Sequence, residues 1–523
     1  MRLWKVIVFL GMVLSIFAYD GWERIYGGEL VERTYDIETM EDDKFIIVGT
    51  EAPLTEGNGS VLLFALDEYG DTIMVRIFDF GYDDGATSIT KSADGNYVLC
   101  GHTNSFGGVL DYDVLVMKFT PEGDTIWAKA IGISNTDDWG LDIETTSDDG
   151  FIVCGKTESF ADTISDEDVY LIKLDSEGDT LWTNFYRGSY NSAGYDVEIM
   201  PDGGYIICGI TFARITGTNE IFLIRTDEEG GVIWQNSYGT TGNHDEAYSM
   251  VVLGDGSIMV AGATQSWGAD MFDCMIMKLD EFGSEIWTNL YGGDGQEWAS
   301  EIRQLESGDF AISGWTSSHG ALGNDAYFFK IDSDGVLLWE KTYGGANNDF
   351  INSFIELEDG GFALTGYSYS YFALLADAYV IKVDSTGALG YLPLYVSLDI
   401  GSSWNTFSYP YMEPVVYSEM FGLAIPPCYS YNSAERLYEP ADTLYPGIGY
   451  WMLYPVDTVL GMGGITSCDS TIDTLRPGWN LIGCPLDTLP IELITDIEGV
   501  VPPVYNYNAH ERVYEEIDFL MPG

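Results

Sequence analysis

Tryptophan recurs along this chain at an almost constant interval, and that interval constrains the fold more than any other feature. Trp22, Trp127, Trp182, Trp234, Trp287 and Trp339 form the series, Met74 fills its one gap, and Tyr391 falls where the next member would lie; the steps are 52, 53, 55, 52, 53, 52 and 52 residues. Seven units therefore fit between residues 22 and 391. A period of this length marks a repeated supersecondary unit, which buries its apolar faces by packing on its neighbours. Each unit carries four strand signals. In the third, residues 141–146, 151–157, 169–174 and 180–186 read as strands, with the Asp149-Gly150 turn between the first two.

Two turn chemistries repeat with the tryptophans. Asp94-Gly95, Asp149-Gly150, Asp202-Gly203, Asp255-Gly256 and Asp359-Gly360 suit tight hairpins, where glycine takes the positive φ. Asp67 to Gly70, Asp175 to Gly178, Asp227 to Gly230, Asp280 to Gly283, Asp332 to Gly335 and Asp384 to Gly387 form the second series, in which aspartate opens the turn and glycine closes it. Much of the acidity of the chain sits in these turns and reads as solvated turn chemistry. Four-stranded units repeated at this length predict an all-β chain containing a seven-bladed β-propeller, because radial packing buries both faces of each small sheet. The recurring tryptophan would lie on the outer strand and pack between blades. Residues 22–26 form a lone outer-strand segment that can complete the last blade, and residues 389–396 compete for the same edge.

The run Asp168-Val169-Tyr170-Leu171-Ile172-Lys173-Leu174-Asp175, followed by Gly178, Trp182 and Tyr186, resembles the secreted bacterial β-propeller repeat, as do Tyr291-Gly292-Gly293 and Asp359-Gly360-Gly361-Phe362. The resemblance covers residues 22–391. It implies a propeller in an exported or surface setting, and it brings no shared catalytic residues. Met74 and Phe80-Gly81 depart from the pattern in the first units. The Asp-x-x-Gly-x-x-x-Trp run also resembles the repeat of quinoprotein dehydrogenases, but the unit count and the absence of adjacent cysteines favour the fold over that cofactor.

Five residues before the central apolar residue of each first strand stand Glu32, Asp84, Asp138, Ser192, Asp245, Glu297 and Asp349. Six of these seven are acids, and in a propeller they would ring the channel mouth. One reading has each carboxylate accept backbone N–H bonds and fix its link. The other makes the six acids a ligand or cation rim, with Ca²⁺ the ion that several oxygen donors favour. Links on the same rim carry Phe106, Phe160, Phe212, Trp267, His319 and Tyr371. An aromatic and acidic rim suits a glycan or a protein partner, and Trp267 joins the six acids as a candidate contact.

Several classes are disfavoured. Asp and Glu number 83 against 22 Lys and Arg, a formal charge of −61, so nucleic acid and anionic membranes are repelled. Residues 150–157, GFIVCGKT, match the phosphate-loop pattern, but they follow a hairpin turn and read as a strand. The counterparts of Lys156 in other units are His102, Ile210, Ala263, Trp315 and Tyr367, which no phosphate site would share. The four histidines lack helical zinc spacing, and no Gly-x-Ser-x-Gly elbow occurs.

Residues 1–18 read as a secretory signal: Arg2 and Lys5, a short apolar run, then Ala18. No later segment has the roughly 20 apolar residues of a membrane helix. Cys100, Cys154 and Cys208 share one position in successive units and read as packed thiols, whereas Cys468 and Cys484 are the pair suited to a bridge.

After residue 391 a different duplication takes over. Trp404-Asn405 matches Trp479-Asn480, Pro426-Pro427 matches Pro502-Pro503, and residues 431–439 match 507–515. Residues 392–470 and 471–523 are thus expected to be tandem small β modules, the second lacking the counterpart of residues 449–454 and so apparently truncated. The whole reads as an exported, non-catalytic binding or scaffold protein. A secreted carbohydrate-active hydrolase or lyase using the acidic rim is the alternative, and a structural role in an envelope layer is a third.

Overall fold

The computed structural model describes residues 21–389 except 28–29, 54–58, 106–110, 133–135, 159–166, 269–270, 321–322 and 371–374; beyond residue 395 it describes separate strands. The expected signal segment, Phe106, Phe160, Tyr371, Cys468 and Cys484 lie outside the described residues. The chain divides into two compact units, residues 1–391 and 392–523.

The first unit is a seven-bladed propeller, each blade a four-stranded antiparallel sheet. Blade three shows the plan: Asp138–Thr145 innermost, then Phe151–Thr157, Asp168–Leu174 and Thr180–Tyr186 outermost. A register shift interrupts its inner strand between Gly140 and Asp142, and the other six inner strands shift at the equivalent place. Beyond the bulge the strand alternates, Ile143 packing into the core between blades and Asp142 lying on the other face.

The competition for the last edge is settled by pairing. Trp22–Tyr26 lies antiparallel to Asp377–Val383, with Trp22 opposite Lys382 and Tyr26 opposite Ala378. Blade seven is therefore built from both ends of the repeat region, which closes the ring non-covalently.

Alternating apolar residues fill seven clusters, one between each pair of neighbouring blades. The cluster between blades seven and one joins Phe45, Ile47 and Phe64 to Ala378 and Val380, with Trp22 and Tyr26 packed against it. Cys100, Cys154 and Cys208 are buried free thiols, as is Cys274. Burial in apolar surroundings pushes all four thiols well up.

The tryptophan and the Asp-x-x-Gly turn prove to be two halves of one device. Aspartate shapes the turn: Asp332 Oδ1 accepts from the Asp334 and Val336 N–H groups at 2.9 Å, and Gly335 N–H donates to Asp332 O at 3.0 Å. Gly335 has φ +81°, and a Cβ there would lie 3.0 Å from the Trp287 ring of the preceding blade. Tyr291, on the same strand as Trp287, donates its hydroxyl to Gly335 O at 2.6 Å. The contact recurs with Tyr186 on Gly230, Tyr238 on Gly283, Tyr343 on Gly387 and, across the closure, Tyr26 on Gly70. Each outer strand thus grips the next blade's turn. Blade one has Met74 and Phe78 at these positions and blade two has Ile131 in place of the tyrosine, so neither can make the hydroxyl contact.

One turn differs from expectation. In blades two, four, five and seven the glycine of the Asp-Gly pair takes the positive φ, but in blade three Asp149 does so, at 63°, and Gly150 does not. Asp149 N–H donates to Thr146 O, as Gly95 N–H does to Ser92 O, so the turn is displaced by one residue from the dipeptide.

In the second unit, Trp404–Ser408 pairs with Gly449–Leu453, which pairs with Ile425–Asn432. The duplication has a backbone echo: Tyr431 opposes Tyr438 in one hairpin, and Tyr507 opposes Tyr514 in another.

Candidate functional site

The interblade links and the ends of the second strands meet at one end of the propeller, so their residues surround the channel mouth. All seven positions of the acidic column are the first or second residue of an inner strand, and all seven are buried. Outside blade one, their side-chain oxygens have partners inside the protein. Asp245 accepts from the Thr264 hydroxyl, from Ser266 Oγ at 2.7 Å and from Thr240 N–H at 3.2 Å. Asp349 accepts from the Ser368 hydroxyl, Ser370 Oγ at 2.6 Å and Gly345 N–H at 2.8 Å. Glu297 binds Thr316 Oγ1 at 2.8 Å and Gly293 N–H at 3.0 Å. Asp84 and Asp138 accept from Thr103 and Thr157 in the same way, and Ser192 pairs with Thr211.

Blade one departs from this pattern: Glu32 opposes Glu51, with no hydroxyl across the ladder. Glu32 instead hydrogen-bonds Asp377, whose carboxyl burial pushes up. In each case except Asp245, the backbone N–H of the column residue donates across the blade boundary, as from Asp138 to Tyr112 O at 2.7 Å. The column therefore ties the second strand, the link and the preceding blade together. Trp267 stands apart from it on a loop, 37% exposed and with φ 52°. Among the described residues, no three acidic, histidine or cysteine side chains converge closely enough to hold a metal ion.

Four residues along each inner strand, past the bulge, a second belt crosses the channel. Asp36 accepts from Ile89 N–H at 2.8 Å and Ser353 Oγ at 2.7 Å; Ser88 donates to Asp142 Oδ1 at 2.8 Å. Asp142 accepts from Val197 N–H at 3.0 Å, Asp196 from Met250 N–H at 2.6 Å, Ser249 from Ile302 N–H at 3.2 Å, and Glu301 from Phe354 N–H at 2.9 Å. Every blade is joined to the next, and the circuit is closed.

Two residues further on stand Glu38, Glu144, Glu198 and Arg303. Arg303 pairs with Glu301 and reaches to 3.7 Å from Asp36 across the ring. Burial, reinforced by neighbouring carboxylates, pushes Glu144 and Asp196 well up and Glu198 to about 7. Glu301 also reaches about 7, burial outweighing the opposing pull of Arg303.

The mouth itself is aromatic. Phe272 lies 4.3 Å from Trp298 between centroids, Trp298 4.8 Å from Trp315, Trp315 5.9 Å from Phe350, and Phe350 4.8 Å from Tyr367. Arg33 sits 5.2 Å from the Tyr367 ring. On the other side, His102 stacks on Trp139 at 4.1 Å and near Tyr112 at 5.6 Å; burial pushes its imidazole down to about 4, so it is neutral at pH 7.

Between these arcs, at blades three and four, opens a cleft of about 520 Å³ lined in part by Trp139, Tyr190, Tyr195, Phe212, Lys156 and Glu167. Lys156 pairs with Glu167 at 2.6 Å and lies 5.5 Å from the Trp139 ring. The residues that resemble a phosphate loop are thus the strand Phe151–Thr157, of which Lys156 lines this cleft. Of the expected loop aromatics, Phe212 lines the cleft, and His319 lies 6.3 Å from Tyr327. The rest of the mouth was not expected. Its signal was the set His102, Trp315 and Tyr367, read above only as counterparts of Lys156.

No protein-family model matches the chain. The chain is 26% identical over 197 residues to the regulatory protein FlaEY of Caulobacter vibrioides, a match covering 32% of this chain and 20% of that protein. The chain therefore spans about a fifth of this relative's length. Among solved structures it is similar to Sqt1 from Chaetomium thermophilum (12% identity, 65% of this chain and 80% of that one, TM-score 0.41). It is also similar to the polysaccharide lyase Uly1 (10%, 69% and 91%, TM-score 0.41) and to Drosophila Plexin A in complex with Semaphorin 1b (8%, 69% and 86%, TM-score 0.41). The propeller assignment rests on the strand pairing of this chain itself.

Proposed function

We propose that this chain is an exported, non-catalytic propeller of the secreted bacterial repeat type, which binds a glycan or protein at its channel mouth. The supporting observation is the run of ring contacts from Phe272 to Tyr367, together with the open cleft beside it. Flat rings grouped around an opening offer apolar contact area at low entropic cost. The six column acids serve the fold in this reading, since five of them already hold hydroxyls and Glu32 hydrogen-bonds Asp377. The exported setting is supported by the leader-like residues 1–18.

A glycan and peptide array probed with the full chain tests the proposal. Binding that falls at least tenfold in Trp298→Ala and Trp315→Ala, with a cooperative melt retained, supports it. Binding indifferent to both substitutions refutes it.

One observation favours the enzymatic alternative. Glu198 and Glu301 are held near 7, a value suited to proton transfer at neutral pH. Release of new reducing ends or unsaturated sugars from polysaccharides, abolished by Glu198→Gln, would replace the binding reading with a hydrolase or lyase.

A further inference from the structure

The acidic column spends its oxygens inside the protein, whereas the cleft at blades three and four keeps polar groups in reserve. Trp139, Tyr190, Tyr195 and Phe212 give the cleft flat apolar walls. Among the described residues, neither the Trp139 indole N–H nor the Tyr195 hydroxyl has a hydrogen-bond partner, although burial pushes the Tyr195 hydroxyl up to about 12. Asn191 uses its amide oxygen on Glu167 N–H at 3.4 Å and leaves its amide nitrogen open. Asn219 does the opposite: its amide nitrogen donates to Glu246 Oε1 at 2.7 Å and its amide oxygen is open. Donors and acceptors therefore stand together beside apolar rings.

The charge of the cleft is already balanced, since Lys156 pairs with Glu167 at 2.6 Å. The column also changes here. Ser192 is its one neutral member, lines this cleft, and is held by Thr211 Oγ1 at 3.0 Å. An anionic ligand would meet Glu167 and the field of a chain with charge −61. A cationic ligand would have to displace Lys156 from Glu167. Apolar side chains of a peptide would fill the cleft but leave its open donors and acceptors unpaired, which disfavours them. A hydroxyl both donates and accepts, so neighbouring hydroxyls on a sugar ring can satisfy amide, phenol and carboxylate groups while the C–H face of the ring lies on an aromatic wall. The volume of about 520 Å³ suits a short segment of such a chain.

We propose that this cleft is the subsite that selects a neutral glycan, its hydroxyls bonded by Tyr195, Asn191, Asn219 and the Lys156–Glu167 pair and its ring seated on the aromatic wall. This rests on the mouth being the recognition face and adds the chemical class of the ligand.

Calorimetric titration of the full chain with cellohexaose, xylohexaose, mannohexaose and maltohexaose tests the proposal. The galacturonate hexamer and the glucosamine hexamer are the anionic and cationic counterparts. The expected result is binding of at least one neutral hexamer, with both charged hexamers at least tenfold weaker. Tyr195→Phe should weaken that binding about threefold to tenfold, and Lys156→Met at least tenfold.

Tyr195→Phe removes an oxygen that no protein group holds, so its melting temperature should match that of the parent and the test stays valid if Lys156→Met melts early. Failure of all four neutral hexamers to bind, binding indifferent to Tyr195→Phe, or a charged hexamer or array peptide that binds with the same dependence on Tyr195 and Lys156 would each overturn the proposal. Array ligands that depend on Trp298 and Trp315 but not on Tyr195 would show that the mouth reading survives such a failure.

Discussion

Replacing Glu198 by glutamine should stabilise the protein above neutral pH and leave it unchanged in acid. Burial holds this carboxyl at about 7 instead of about 4.5, aided by Asp142 and opposed by Arg303. A difference of that size disfavours the charged native form by roughly 3 kcal/mol. The groups facing it are Asp142 and Glu144 from blade three, Asp196 from its own strand and Arg303 from blade six.

The sign follows from proton binding. The folded chain holds this proton more tightly than the unfolded chain, so the side chain's favourable contribution is complete below about pH 4.5 and is lost as pH rises through about 7. Glutamine does not ionise, and its amide oxygen can still accept the Ile199 N–H bond that Glu198 accepts. The variant should therefore gain about 1–3 kcal/mol at pH 8, a few degrees in melting temperature, and gain nothing near pH 4. Paired thermal melts of both proteins across this range measure the difference directly and cancel the effect of the bulk charge. An equal gain at both pH values, or a loss at pH 8, would refute the titration argument.

Other substitutions test the fold and the column. Tyr291→Phe removes the hydroxyl from Gly335 O and should cost about 1 kcal/mol in denaturant unfolding. Asp149→Gly should raise stability by up to about 1 kcal/mol in the same assay, because Asp149 occupies a conformation natural to glycine. Asp245→Ala leaves Thr264 and Ser266 without their acceptor and should cost about 2–4 kcal/mol while array binding at the mouth is retained; loss of binding in a folded variant would return the column to the ligand site. Chelation should leave the melting temperature unchanged, since a bound ion would raise it.

The period and the four strands per blade were legible because each depends on local spacing, whereas the choice between residues 22–26 and 389–396 for the closing edge was not, because both can pair there and only the observed register decides. The roles of the column acids were legible in part. Their hydroxyl partners stand a constant 19 residues downstream, as Asp84 to Thr103, Asp245 to Thr264 and Asp349 to Ser368, a second column readable in the sequence beside the first. The grip of Trp287 and Tyr291 on Gly335 was not legible, because the tryptophan and the turn recur in most units and only ring geometry assigns one blade's residue to the next blade's turn. The channel carboxylates were hidden by the bulge. Asp138 and Asp142 would share a face of a regular strand, yet the register shift after Gly140 sends the first into its blade and the second into the channel. The mouth aromatics were hidden for another reason: Trp298, Trp315, Phe350 and Tyr367 alternate between two strands of two blades, so no single period reveals them.

Every residue placed at the mouth or in the channel depends on closure of the ring by Trp22–Tyr26. Hydrogen exchange of the full chain, followed over this segment and over the outer strand Thr180–Tyr186, tests it most directly. Comparable protection of the two segments, lost together on unfolding, is the expected result. Exchange of residues 22–26 at the rate of a free tail, with 180–186 still protected, would contradict closure and remove the basis for the channel.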